Sequence, residues 1–197
     1  MHAVYVDIPF QMSKVNQNIF LIGPMGSGKT SIGKHLAKIL ELDFYDCDHE
    51  LERMTGASVN LIFDLEGEAG FRIRETNLLQ QLTEKNNVLI ATGGGTVCKT
   101  ENRAMLRSRG FVVYLKTSVD NQLRRLSHDK SRPLLQAKDR AQRLLDLARV
   151  RNPLYEETAD LVFKTRNSSV PATARALSRM ILEQLDPLTP EDTHADC

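Results

Sequence analysis

The sequence predicts a three-layer α/β/α fold, in which a parallel β-sheet lies between two layers of helices. Short apolar runs rich in β-forming residues alternate along the chain with longer stretches of helical character. Strict strand–helix alternation is typical of parallel sheets, because each crossover places a helix on a face of the sheet. With 197 residues, of which 41% are hydrophobic, the chain suits one well-packed domain.

The predicted strands are the apolar runs at 19–22, 44–45, 88–90, 111–115 and 161–163. The predicted helices are 29–40, 48–54, 68–85, 101–109, 119–127, 140–149 and 171–185, with a further short helix that Ser58 caps and Gly67 ends. Gly56 and Gly110 also follow helical patterns, and we expect all three glycines to act as C-terminal caps. Residues 18–185 form the predicted domain. Residues 1–17 form an N-terminal extension, in which Met12 is an alternative start, and the acidic tail 186–197 is expected to be flexible.

Composition excludes several classes of protein. The 26 basic and 25 acidic residues leave a net charge of +1, which gives no bulk field for nucleic acid or an anionic membrane. No apolar stretch approaches the roughly 20 residues of a membrane span. Cys47, Cys98 and Cys197 form no disulfide framework, so we expect a cytoplasmic protein with reduced thiols. The five histidines are not clustered, so any metal is expected to arrive with a ligand.

A phosphate-binding loop follows the first strand. "GPMGSGKT", residues 23–30, matches G-x-x-x-x-G-K-[ST] and leads directly into a predicted helix. Backbone N–H groups and the helix N-terminus would bind phosphates, while Lys29 reaches the β- and γ-phosphates and Thr30 reaches Mg²⁺. The predicted nucleotide-binding residues here are Gly26, Ser27, Gly28, Lys29, Thr30 and Ser31. The pattern predicts a bound nucleoside triphosphate with Mg²⁺ but does not identify the group that receives the phosphate.

Two aspartates follow the second predicted strand, at the edge where open α/β sheets bind ligands. Asp46 and Asp48 can serve different partners, one helping to hold hydrated Mg²⁺ and the other holding or deprotonating a hydroxyl. Alternatively, one of them only caps the next helix. Cys47 between them is interpreted as a small buried side chain rather than a nucleophile.

Three arginines are candidates for binding an anionic acceptor or the transferred phosphate. Arg72 in "GEAGFRIRE" has carboxylates at i−4 and i+3, which also fits a solvent-facing ladder of ion pairs. Arg132 lies in a polar, basic stretch before a proline, as in a mobile lid. Arg151 precedes "NPLY" after the next predicted helix and can reach back into the cleft. Each of the last two also fits an ordinary surface arginine.

A regulatory GTPase switch is a second hypothesis, because "DLEG" at 64–67 fits the D-x-x-G that senses a γ-phosphate. No NKxD-like guanine-binding sequence follows a later strand, and the segment fits a short helix better. The phosphate loop also fits a different small-molecule kinase, such as a gluconate kinase, and a nucleotide-binding module without transferase activity.

Taken in order, the motifs resemble those of the shikimate kinases, which have a nucleoside-monophosphate-kinase-like P-loop fold. They are "GPMGSGKTSIG", "FYDCDHELE", "GEAGFRIRE", "ATGGGTV", "RPLL" and "RNPLYEE", and the resemblance covers residues 18–185. It implies a five-stranded sheet of order 2-3-1-4-5, an acceptor-binding segment at about 46–83 and a lid at about 127–138. It also implies transfer of phosphate from ATP to the 3-hydroxyl of shikimate by a monomeric enzyme.

The resemblance further implies roles for individual residues. Arg72 and Arg151 would bind the shikimate carboxylate, with Asp48 on its hydroxyls and Gly94 beside it. Lys29 and Arg132 would neutralise phosphate charge, and Arg125 would cover the adenine. Catalysis would rest on Lys29, Asp48 and Arg132, with Thr30 and Asp46 on the magnesium side; whether Asp48 is a true general base stays open.

Three consecutive glycines, 93–95, end the third predicted strand, where many P-loop enzymes carry an acidic magnesium ligand. They suggest that backbone N–H groups contact the acceptor and nearby phosphate or water. A Cβ in this position would block that approach.

Overall fold

A computed structural model describes residues 17–127, 139–165 and 168–185 of the chain. Its strands are β1 Asn18–Ile22, β2 Asp43–Asp46, β3 Val88–Ala91, β4 Gly110–Lys116 and β5 Leu161–Lys164. Its helices are α1 Lys29–Leu40, α2 Cys47–Thr55, α3 Val59–Thr83, α4 Thr100–Arg109, α5 Val119–Arg125, α6 Arg140–Thr158 and α7 Val170–Leu185. A single 3₁₀ turn, Thr96–Cys98, links β3 to α4 within the described ranges. All five predicted strands are present.

The five strands form one parallel sheet of order β2-β3-β1-β4-β5, as predicted. β1 lies at the centre, where Phe20 is paired with Ile90 of β3 and Val112 of β4. After β1 the chain passes through α1 to β2 at one edge of the sheet, whereas after β3 it passes to β4 on the other side of β1. Because β1 and β3 are neighbours, the loops that follow them lie side by side and lead in opposite directions. Ligand sites in open α/β sheets form at such a reversal of strand order.

Both faces of the sheet are covered by helices. Successive side chains of a strand point to opposite faces, and β1 is buried on both. Phe20 and Ile22 belong to a core that includes residues of α2, α3, α4 and α6. Ile19 and Leu21 belong to a second core built with α1 and α7. The arrangement confirms the three-layer α/β/α prediction.

Helix α6 is longer than predicted, because it runs on to Thr158 rather than ending at residue 149. Pro153 lies inside it and removes one backbone donor, which normally weakens a helix. The helix continues because the residues after the proline pack into the core: Tyr155 is fully buried and Thr158 is 1% exposed. Arg151 therefore lies within α6, and the prediction that it follows this helix is wrong.

The glycines predicted to end helices do so in different ways. Gly56 takes the left-handed conformation (φ 68°) at the end of α2. Gly67, also at φ 68°, breaks α3 into two helical segments, and the Ser58 hydroxyl accepts from the Leu61 N–H at its start. Gly110 does not fit the prediction of a left-handed cap, since it is extended and begins β4. A Cβ there would lie 2.5 Å from the Asn18 carbonyl oxygen, so close approach of β4 to β1 is what requires this glycine.

Several predictions concern residues outside the described ranges. They are the extension up to residue 16, the lid at 128–138 with Arg132, and the tail 186–197. Across the described ranges, no helix combines the length and apolar character needed to cross a membrane. The same ranges hold no group of three or more His, Cys, Asp or Glu side chains arranged to bind a metal ion.

Candidate active site

The phosphate-binding loop connects β1 to α1 through three glycines with positive φ: Gly23 at 142°, Gly26 at 74° and Gly28 at 98°. Other residues rarely adopt such angles, so the glycines determine the path of the loop. A Cβ on Gly23 would also lie 2.8 Å from the Leu115 carbonyl oxygen. The loop therefore packs closely on β4 and opens at the N-terminus of α1, as an anion site requires.

A cavity of about 180 Å³ lies over this loop. Its lining includes the predicted nucleotide-binding residues Gly26, Gly28, Lys29, Thr30 and Ser31, together with Asp46, Asp48, Thr92 and Gly94. The Nζ of Lys29 donates to the carbonyl oxygens of Gly23 (2.7 Å) and Pro24 (2.9 Å), which places the ammonium at the mouth of the loop.

Two predicted nucleotide-binding side chains lie beside the phosphate cavity rather than in its lining. Ser27 is fully buried, and its hydroxyl has no hydrogen-bond partner among the described residues. Arg125 comes from α5, and its Nη1 donates to the carbonyl oxygens of Gly26 (2.9 Å) and Ser27 (3.3 Å). Arg125 thus braces the loop from outside, while the role predicted for it toward adenine stays a prediction.

Thr30 and Asp46 meet at one side of the phosphate cavity, where the Thr30 hydroxyl donates to Oδ2 of Asp46 over 2.6 Å. The other carboxylate oxygen, Oδ1, accepts from the N–H groups of Asp48 (3.1 Å) and His49 (3.3 Å) and so caps α2. Asp46 therefore caps α2 and also lines the phosphate cavity, so the capping interpretation is confirmed, while its role toward Mg²⁺ stays a prediction. A hydroxyl and a carboxylate are oxygen donors of the kind that Mg²⁺ prefers, so the pair fits the predicted metal.

A second cavity, of about 310 Å³, lies next to the first. Asp48 from α2, Arg72 from α3, the glycines after β3 and Arg151 from α6 all line it. Phe63 and Phe71 supply an apolar wall. A small polar molecule that carries a carboxylate and hydroxyls matches this combination of two guanidiniums, one aspartate and aromatic surface.

Arg72 is held by two carboxylates of its own helix. Its Nη1 donates to Glu75 over 2.6 Å, and its Nη2 donates to Glu68 over 3.1 Å. Both ion pairs of the predicted ladder are present, but the Arg72 side chain is 12% exposed and that of Glu75 only 3%, so these two residues do not face solvent as that interpretation requires. Burial alone would lower the pKa of Arg72, but the carboxylates of Glu75 and Glu68 outweigh burial and raise it. The guanidinium is thus a fixed positive charge in the cavity wall.

Buried Glu75 connects this arginine to the loop after β3. Its Oε1 accepts from the Thr96 hydroxyl over 2.7 Å, while Oε2 accepts from Arg72. Neither Glu75 nor Thr96 was among the predicted site residues, and the i, i+3 spacing of Arg72 and Glu75 was the signal available. The spacing revealed the pair but not its burial, because burial depends on how α3 packs against the 3₁₀ turn.

The three consecutive glycines have three different neighbours. A Cβ on Gly93 would overlap Oε1 of Glu75, and one on Gly95 would overlap the Arg72 guanidinium. A Cβ on Gly94 would lie 3.4 Å from the backbone nitrogen of Met25 in the phosphate loop. The groups that approach this backbone therefore include α3 side chains and the phosphate loop, which the sequence did not predict.

Helix α6 holds the carbonyl of Gly94 with two donors. The Tyr155 hydroxyl donates to this oxygen over 2.5 Å, and Nη1 of Arg151 donates to it over 3.2 Å. Tyr155 is fully buried and stacks on Tyr114, with ring centroids 4.9 Å apart. Burial raises the pKa of Tyr155 well above its usual range, so the phenol stays protonated and remains a donor. Tyr155 was not among the residues predicted from the sequence.

The two cavities share part of their lining: Met25, Asp48 and Gly94 belong to both. Cys47, beside Asp48, is 3% exposed. Burial raises the pKa of its thiol, and the neighbouring carboxylate of Asp48 raises it further. The interpretation of Cys47 as a small buried side chain is confirmed. Asp48 is thus the ionisable group that lines both the phosphate cavity and the acceptor cavity.

The profile of the shikimate kinase family matches residues 25–185, a range that includes every residue lining the two cavities. The chain belongs to the shikimate kinase family. It is 52% identical to the shikimate kinases of Shewanella pealeana and Alteromonas mediterranea, over 169 residues that make up 86% of this chain and 96% of each relative. The resemblance to the shikimate kinases that the ordered motifs indicated is thus confirmed.

Solved structures agree with this assignment of the protein to the shikimate kinases. The chain is similar to the shikimate kinase from Acinetobacter baumannii in complex with shikimate, with a TM-score of 0.85 and 46% identity over 87% of this chain and 96% of that one. The shikimate kinase of Aquifex aeolicus matches with a TM-score of 0.73 and 33% identity over 85% and 98% of the two chains. A gluconokinase from Sinorhizobium meliloti shares the fold at 18% identity.

Proposed function

We propose that this protein transfers the γ-phosphoryl group of ATP to the 3-hydroxyl of shikimate, giving shikimate 3-phosphate and ADP. The observation that carries the proposal is the position of Asp48, which lines both the cavity over the phosphate loop and the cavity with two arginines. A hydroxyl held by Asp48 would face the phosphate cavity. Phosphoryl transfer needs this alignment more than it needs covalent chemistry from the protein.

The two arginines would bind the shikimate carboxylate. Arg72 and Arg151 line the same cavity from different helices, and each is held by groups behind it. Planar guanidiniums fixed in this way bind a carboxylate with charge-assisted hydrogen bonds. Asp48, which also lines the phosphate cavity, would accept hydrogen bonds from ring hydroxyls. Neither arginine lines the phosphate cavity, so this arrangement would orient the acceptor with its carboxylate away from the phosphate loop.

The chemical step forms a bond from the acceptor oxygen to the γ-phosphorus and breaks the bond from that phosphorus to the β,γ-bridging oxygen, which leaves with ADP. Asp48 would orient the hydroxyl and accept its proton late, as the new bond forms. Lys29 would neutralise charge on the β- and γ-phosphates, and Arg132 is proposed to do the same from the lid. Mg²⁺, held by Thr30 and Asp46, would supply further charge neutralisation on the phosphates.

We further propose a monomer that acts in the cytoplasm. Both cavities are lined by one chain, so the proposed reaction needs no second copy. The sequence shows no disulfide framework, and Cys47 and Cys98 are free thiols in the structure. Light scattering on the purified protein tests the first point, since a monomer has a mass of 22.2 kDa.

The deciding experiment measures ADP release from Mg-ATP with shikimate, with gluconate and without an acceptor. We expect release that depends on shikimate, and no release from a Lys29→Ala variant. Mass spectrometry should find one phosphate added to shikimate. ADP release with gluconate but not with shikimate would indicate another kinase of this fold. ADP release at the same rate with and without an acceptor would contradict phosphate transfer to a small molecule.

A further inference from the structure

We propose that Tyr155 is a positioning residue of the acceptor site, which acts through the Gly94–Gly95 peptide and does not contact the acceptor. Its hydroxyl donates to the Gly94 carbonyl oxygen at 2.5 Å. Gly94 and Gly95 line the acceptor cavity, whereas Tyr155 is fully buried behind them. The inference rests on the proposed function, because it concerns how the same cavity holds its acceptor.

The geometry of the peptide unit explains how a buried hydroxyl can act on the cavity. The peptide bonds of the described residues are all trans, and in a planar trans unit the C=O and the following N–H point in opposite directions. A hydrogen bond that draws the Gly94 oxygen toward α6 therefore turns the Gly95 N–H away from Tyr155. Glycines lack a Cβ that would restrict this peptide, so an external contact has to fix its orientation.

Arg151 and Tyr155, both on α6, donate to the Gly94 carbonyl oxygen, but only Arg151 also lines the acceptor cavity. Arg151 also donates to the Gly94 oxygen, at 3.2 Å, but its guanidinium lines the acceptor cavity. Tyr155 lies one turn further along α6 and does not line that cavity. Removal of the Tyr155 hydroxyl therefore tests positioning without removing a group that faces the acceptor.

The chain offers a matched control in Tyr114, which stacks on Tyr155. Its hydroxyl donates to Oδ1 of Asn152 over 3.2 Å and not to Gly94. Tyr155→Phe and Tyr114→Phe thus remove the same atom from two buried, stacked rings. Burial raises the pKa of Tyr114 to about 12, so both phenols are neutral donors at pH 7. Only the first change removes a hydrogen bond to the Gly94 carbonyl, and Arg151 remains as its other donor.

Titration calorimetry gives the first measurement. We expect Tyr155→Phe to weaken shikimate binding by about tenfold, the scale of one lost hydrogen bond, and to change the Kd of ATP by less than about twofold. Tyr114→Phe should leave shikimate affinity within about twofold of the original protein. Unchanged shikimate affinity in Tyr155→Phe, or equal losses in both variants, would overturn the positioning role. Absence of any shikimate-dependent ADP release in the original protein would instead reject the proposed function.

Selective labelling gives a second measurement, and the response of the original protein to shikimate does not depend on any variant folding. Among the 11 glycines of the sequence, only Gly94 and Gly95 directly follow another glycine. Protein labelled with 1-¹³C,¹⁵N-glycine should therefore give two carbonyl–amide correlations in an HNCO spectrum. We expect shikimate to shift the Gly95 correlation of the original protein, and Tyr155→Phe to move the Gly94 carbonyl resonance upfield. A Gly95 correlation that does not respond to shikimate would contradict the proposal.

Discussion

The hydroxyl of Thr30 donates a 2.6 Å hydrogen bond to Oδ2 of Asp46, which joins the first turn of α1 to the end of β2. The opposite oxygen of the same carboxylate caps α2 through the N–H groups of Asp48 and His49. Asp46 thereby connects the phosphate loop to the helix that carries Asp48. The negative charge of Asp46 and its capping ability can be separated by substitution, because asparagine caps helices as well as aspartate does.

Asp46→Asn should therefore raise the Mg²⁺ concentration needed for half-maximal activity while leaving the fold intact. We expect a rise of about tenfold, since one anionic oxygen ligand is lost. Mg²⁺ titrations of ADP release, together with the melting temperature, measure both effects. Asp43→Asn, at the exposed start of β2, is the matched control. An unchanged Mg²⁺ requirement would remove Asp46 from the metal side of the site.

Arg72→Ala and Arg151→Ala should each weaken the use of shikimate by about ten- to a hundredfold, the loss expected for one charge-assisted hydrogen-bonding group. Steady-state kinetics with varied shikimate at saturating ATP measure this change. Arg74→Ala serves as the control, because Arg74 lies on the same helix and pairs with Glu66 at the surface. Kinetic constants that match the unmodified protein in both variants would rule out a carboxylate clamp.

Glu75→Gln should reduce both stability and shikimate affinity, whereas Glu68→Gln should do little. Both carboxylates contact Arg72, but the Glu75 side chain is 3% exposed and that of Glu68 is 58% exposed. Removal of the buried charge leaves Arg72 with a weaker anchor and should lower the unfolding free energy by about 1–3 kcal/mol. Solvent screens the exposed pair, so its loss should cost less than about 1 kcal/mol. Urea unfolding and shikimate titration of the two variants compare them directly, and equal effects would contradict the distinction.

Arg132→Ala should lower kcat more than it lowers affinity for ATP. The expectation comes from the sequence, where Arg132 precedes a proline in a polar, basic stretch that fits a lid over the transferred phosphate. Measured nucleotide dissociation constants and single-turnover rates separate the two effects. A loss of ATP affinity with an unchanged rate would make Arg132 a binding residue. Lysine should not replace it fully, because an ammonium lacks the two-pronged donor geometry.

Much of the fold could be predicted because its rules act over short distances along the chain. Residues 19–22 of β1 are all apolar, and the glycine-rich loop with Lys29 determines where α1 begins. Gly67 breaks α3 as predicted, since a residue at φ 68° interrupts a helix wherever it occurs. The end of α6 was predicted wrongly because it depends on tertiary packing and not on the local sequence. Pro153 is an unfavourable local residue, and only burial of Tyr155 and Thr158 carries the helix past it.

Some features of the candidate site could likewise be predicted from the sequence, and others depend on tertiary packing. The sequence by itself indicated the phosphate loop, the pair Asp46 and Asp48, and the cavity arginines Arg72 and Arg151, because these residue types and spacings carry recognisable chemistry. Tertiary structure decided that Glu75 is buried behind Arg72 and that Tyr155 holds the Gly94 carbonyl. Those contacts join residues from different elements, and their strength depends on burial. Burial is a property of the packed layers, so no local pattern in the chain could have specified it.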